Sequence, residues 1–192
     1  MHRRRWITVP LATLTGFLTI ALAAPAQAER ELFFEETAEA FWAVPHTCAD
    51  GTVVDGTLLV RSTRDFEAPD TEDPDPTARV QFLAVCPGGI SFSWAAPAAP
   101  AAITSTPDLK SVVTTGSGVA RDILGGTHQV TFDVTWTGFG PITTTVNGPG
   151  SKRKQREATA DGLVTFDGAV LVDGPNNHPT RPAPFIREDT EK

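Results

Sequence analysis

Only two cysteines occur in this 192-residue chain, and its four histidines lie far apart. A metal centre needs three or four converging ligands, and no H-x-H or H-E-x-x-H arrangement offers them. No nucleophile signature is present either. G-x-S-x-G is missing, and neither "GSG" (116–118) nor "GGISFS" (88–93) replaces it. Helical periodicity is absent: apolar residues recur every two positions, never convincingly every 3.6. Positive charge is also scarce. Without its first 28 residues, which hold three arginines and no acid, the chain keeps 13 basic residues against 23 acidic ones, a net charge of −10. An acidic surface repels phosphate backbones, so nucleic acid is a poor candidate partner.

What is present begins with a leader. Arg3, Arg4 and Arg5 form a basic start, Leu11–Ala24 is apolar, and Ala26-Gln27-Ala28 has the small-x-small form that signal peptidase accepts. Residues 1–28 are therefore read as a signal peptide cleaved after Ala28, with an ordinary basic start rather than a twin-arginine signal. Thr13, Thr15, Gly16 and Thr19 dilute the apolar run, which argues against a permanent anchor. The expected location is secreted or extracytoplasmic. There an isolated cysteine pair, Cys48 and Cys86, is most simply a disulfide.

Residues 29–174 then read as one antiparallel β domain and 175–192 as an irregular proline-rich tail. Alternating runs fall at 36–44, 52–66, 79–86, 109–115, 119–124, 130–137 and 157–166, with weaker ones at 142–146 and 169–172. "PGG" (87–89) turns the chain between Arg79–Cys86 and the Ile90, Phe92, Trp94 run. "APAAPAA" (96–102) reads as a stiff extended connection. Eight or nine strands without a helix make an all-β fold, an antiparallel barrel or sandwich. A flat meander of the first three strands would leave Cys48 and Cys86 two strand spacings apart, about 9.6 Å. Bridged Cα atoms lie within about 7 Å. Either strands one and three are neighbours, or the loop at Cys48 curls over strand two, and a simple meander is doubtful.

Candidates for chemistry are few. The acidic loop from Asp65 to Asp75 lacks regular calcium-loop spacing and reads as a solvated linker. His178 reads as solvated, and Asp133 as solvent-facing unless its strand lines a lumen. Trp136 continues the Val130, Phe132, Val134 face, so it is a core plug first and a ligand contact second. Lys152, Arg153, Lys154 and Arg156 follow "NGPG" on an expected exposed turn, where they are either a charged hairpin tip or a contact for an anionic surface or polymer. No catalytic residue, cofactor or metal is expected.

"FDVTWTGFGPI" (132–142) and "ATADGLVTFDG" (158–168) resemble an uncharacterised group of small exported bacterial β-proteins with a T-W-T-G-x-G strand end and a later A-x-A-x-G-x-V strand. The resemblance implies shared architecture and carries no chemistry. The expected function is a non-catalytic binding or structural module. The alternatives are a barrel carrier for a small apolar molecule, or an isomerase-like or cyclase-like enzyme using Asp133 or a histidine in a lumen. A filled interior would favour the first.

Overall fold

A computed structural model describes residues 33–67, 75–89, 91–148, 151–181 and 184–191. The leader read at 1–28 and most of the acidic loop lie outside the described residues. The described residues form nine strands: β1 (Phe33–Thr47), β2 (Val53–Glu67), β3 (Thr77–Val85), β4 (Ser91–Ser105), β5 (Ser111–Asp122), β6 (Thr127–Gly148), β7 (Ser151–Phe166), β8 (Ala169–Pro175) and β9 (Phe185–Glu191). Among the described residues the sole helical element is a 3₁₀ turn at Pro87–Gly89.

All pairings are antiparallel. Strands β1 to β6 form a meander, and β7 adds to β6. The other edge of β7 is shared: Lys152–Glu157 pairs with β9, and Asp161–Phe166 with β8. Strand β9 also pairs with Phe33–Glu39 of β1, so the sheet closes in a ring. Closure hides backbone edges that would otherwise template association.

The period of two decides what fills the ring. On β6, Val130, Phe132, Val134 and Trp136 are buried, whereas Thr131, Asp133 and Thr137 face water. The same parity buries Ala38, Ala40, Trp42 and Val44 on β1, and Ala78, Val80, Phe82 and Ala84 on β3. Large rings sit opposite small residues. Ala158, Ala160 and Gly162 run along β7, and a Cβ at Gly162 would come within 3.1 Å of both the Trp42 ring and Val134. Space for the two most buried tryptophans therefore comes from the A-x-A-x-G pattern.

Three expectations change. The "APAAPAA" stretch is part of β4, which keeps both neighbours through register shifts on either side of it. Prolines cannot donate to a ladder, so this is where bulges are tolerated. The tail read as irregular contains β9, whose Ile186 is fully buried. Its apolar residues, Phe185 and Ile186, are adjacent and the rest are charged or polar, so nothing periodic marks it; two flanking strands hold it in place. Finally, β1, β2 and β3 do form a simple meander. The Cys48–Cys86 bridge, with Cα atoms 5.8 Å apart, is made because the turn after β1 brings Cys48 across the start of β2. The second alternative for the bridge is the one that forms.

Between β8 and the far half of β1 the ring is closed by side-chain hydrogen bonds rather than a ladder. The Trp42 Nε1–H donates to the Gly174 carbonyl (3.3 Å), and the Ala43 N–H to Asn177 Oδ1 (2.9 Å). Pro45, with no N–H to offer, continues this edge.

Candidate functional site

The interior is a packed core. Trp42, Leu58, Val60, Val80, Val134 and Trp136 are fully buried, and Phe82, Trp94 and Phe132 nearly so. Trp136, at 0% exposure, is the core plug its strand parity implies. Its Nε1 and the neighbouring Thr114 Oγ1 are buried without a hydrogen-bond partner among the described residues. Asp133 is exposed on the outside of the ring, away from any interior chemistry.

One end of the ring is plugged by the β4–β5 loop. Leu109 is 2% exposed although its backbone has φ 54°, a left-handed conformation that the loop imposes on a branched side chain. Hydrogen bonds hold the loop. Gly138 N–H donates to the Lys110 carbonyl (2.8 Å), Arg156 Nη1 to the Asp108 carbonyl (2.9 Å), and the Thr106 hydroxyl accepts from the Lys110 and Ser111 amides. A Cβ at Gly138 would strike the Leu109 carbonyl oxygen, so the first glycine of T-W-T-G-x-G is a close-approach position. Inside this end, Glu36 Oε2 accepts from Arg64 Nη2 (2.6 Å) and from the Ser105 hydroxyl (2.7 Å). Burial raises the Glu36 carboxyl above its ordinary range, while Ser105 and Arg64 pull it back.

The four basic residues do not form one exposed tip. They lie within β7, whose alternation divides them. Lys154 reaches Glu188 (3.6 Å), its cross-strand partner on β9, and Arg156 anchors the Leu109 loop. Arg153 is on the opposite face and Lys152 is exposed. Arg153 lines a recess of about 300 Å³ on the outside of the β6–β7 arm, together with Phe139, Pro141, Thr143, Thr145, Gln155 and Glu157. The arm exists because the register of β6 against β7 slips between Phe139 and Thr143, leaving a kink at Gly140-Pro141.

The opposite end carries the disulfide and an ion-paired histidine. His128 bonds through Nδ1 to Asp167 Oδ2 (2.8 Å) and through Nε2 to Asp122 Oδ2 (3.1 Å). Asp122 Oδ1 accepts the Leu124 and Gly126 amides, and Asp167 Oδ1 the Gln129 amide. One imidazole thus ties the β5–β6 turn to the β7–β8 turn. The bond to Asp167 first, then that to Asp122, raises the His128 pKa, and both carboxylates are lowered mainly by His128. The ring also stacks on Phe166 (4.4 Å), and Phe166 on Trp94 (4.7 Å). Asp167 stands in the turn after β7, at φ 49°. Nothing in the spacing of positions 122, 128 and 167 announces the cluster.

His178 is engaged rather than solvated. Its Nδ1 accepts the Thr180 and Arg181 amides, so Nε2 carries the proton and meets Thr57 Oγ1 at 2.9 Å. Burial, then Arg181, lowers its pKa. His46 stacks nearly parallel on Phe92 (4.8 Å, 10°). One ring nitrogen of His46 and the sulfurs of Cys48 and Cys86 lie within 4.8 Å of one another, and both sulfurs are bound in the bridge. Compared with family models, curated proteins and solved structures, the chain matches none.

Proposed function

We propose that the chain is an exported, non-catalytic binding or structural module that meets its partner through the outer face of the β6–β7 arm. One observation carries this reading: among the described residues side chains occupy the inside of the ring, and an open recess lies outside it. A carrier or a lumen-working enzyme needs an internal chamber, and Trp42, Trp136 and Phe132 take that space. The disulfide suits an oxidising, extracytoplasmic setting, in keeping with a leader removed after Ala28.

The partner chemistry that fits is anionic. Arg153, which also donates to Gln155 Oε1 (3.4 Å), supplies a delocalised cation in a lining that includes Glu157, Thr143 and Thr145 supply hydroxyls, and Phe139 with Pro141 forms an apolar wall. The kinship with small exported β-proteins belongs to the same proposal. Its motif glycines, Gly138 and Gly162, are packing positions, so it speaks for architecture.

The test is retention of the processed protein on a heparin-type resin and on vesicles containing anionic lipid. Arg153→Ala should weaken retention, while Lys152→Ala, Lys154→Ala and Arg156→Ala, on the other face of β7, should leave it intact. No retention of the wild type, or equal losses for all four variants, would overturn the assignment.

A further inference from the structure

At the disulfide end, alternation places three ligand-bearing side chains together. His46 and Cys48 are two positions apart at the end of β1. Cys86 follows β3 in the same series as Phe82 and Ala84, which face inward. We propose that reduction of the bridge converts His46, Cys48 and Cys86 into a three-ligand site for a thiophilic cation of the zinc type. The bridge is then a gate that withholds two of the three ligands while it is oxidised.

The geometry suits such an ion. The three ligand atoms already lie within 4.8 Å of one another. A tetrahedral zinc with bonds of about 2.3 Å to sulfur holds its two sulfurs about 3.8 Å apart. With Cα atoms 5.8 Å apart, rotation of the two freed side chains covers that separation without moving the strands.

His46 is prepared for the role. Unlike His128 and His178, it has no hydrogen-bond partner among the described residues, so a ring lone pair is available. Its plane is fixed by the stack on Phe92 and by Phe82 at 5.9 Å. Cys48 is buried, while His46 and Cys86 are half-buried, which leaves a side open for a cation and a water in the fourth position. The Asp122–His128–Asp167 cluster offers no comparable site, because both of its imidazole nitrogens are engaged.

A dithiol reductant delivers two electrons and two protons to the Cys48–Cys86 bond and is itself left as a disulfide. The S–S bond breaks and two thiols form. A divalent zinc ion then displaces both thiol protons to water and accepts one lone pair from each sulfur and one from the imidazole.

The experiment uses the full processed protein, reduced by a phosphine without oxygen and titrated with Zn²⁺ against a chromogenic chelator. Co²⁺ serves as a spectroscopic probe, and near-UV circular dichroism reports the packing of the buried tryptophans. The reduced protein should hold one zinc per chain and give thiolate-to-cobalt charge-transfer bands. The oxidised protein should hold none. His46→Ala, which leaves the bridge intact, should weaken the reduced site roughly tenfold or more and shift the cobalt ligand-field bands. Three results would overturn the proposal: no zinc uptake after reduction, equal affinity in His46→Ala, or uptake only by chains that have lost the near-UV signal.

Discussion

Replacing both cysteines by alanine isolates what the Cys48–Cys86 bridge contributes. The bridge closes a segment of 38 positions. For a loop of that length, restricting the unfolded chain stabilises the fold by about 4 kcal/mol. In a domain of this size each kcal/mol moves the thermal midpoint by about 2–4 °C, so the expected loss is roughly 8–16 °C. The fold itself should survive at room temperature, because continuous pairing of β1 with β2 and β2 with β3 does not depend on the bridge. Differential scanning calorimetry of wild type, reduced wild type and the double variant, all in metal-free buffer, measures the effect. The reduced wild type and the variant should melt together. A midpoint within about 2 °C of the oxidised protein would refute the reasoning that the bridge acts through the unfolded chain.

His128→Asn should destabilise the protein most in mildly acidic solution. The folded-state pKa of His128 lies above its ordinary 6.5, so its stabilisation is full below that value and fades as pH rises through the folded pKa. The lowered Asp122 and Asp167 set the acid limit, their contribution disappearing as pH falls below the ordinary carboxylate value of 3.8. Melting curves against pH for wild type and variant should converge on the alkaline side, and parallel curves would contradict the assignment. His178 runs the other way: its lowered pKa stabilises above 6.5 and is lost on acidification, which His178→Gln should abolish. Trp136→Ala should cost about 3–5 kcal/mol by chemical denaturation, since the ring is wholly enclosed. Arg156→Ala should loosen the loop from Thr106 to Lys110, seen as faster proteolysis there with little change in the core.

Much of the fold could be read directly. The alternation of Val130, Phe132, Val134 and Trp136 set the burial of β6, and the lone cysteine pair became the bridge. Strand β9 escaped because its apolar residues, Phe185 and Ile186, stand side by side ahead of charged and polar ones, and an adjacent pair makes no alternation. The basic run was misplaced for a related reason. A cluster of charge in sequence looks like one patch, but within a strand successive side chains leave on opposite faces, so Lys154 and Arg156 are committed to Glu188 and the Leu109 loop. The Asp122–His128–Asp167 cluster was invisible because its members come from two turns nearly forty residues apart.

The sequence alone therefore determined the β character, the inward and outward faces of its patterned strands and the cysteine pairing, since these follow from local alternation and from there being no other thiol. Tertiary structure decided how the sheet closes, that the ring is filled, which loop plugs it, and which histidines find carboxylates, amides or sulfurs. Those outcomes depend on register between distant strands, and register is fixed only when Trp42 and Trp136 settle against the small residues of β7.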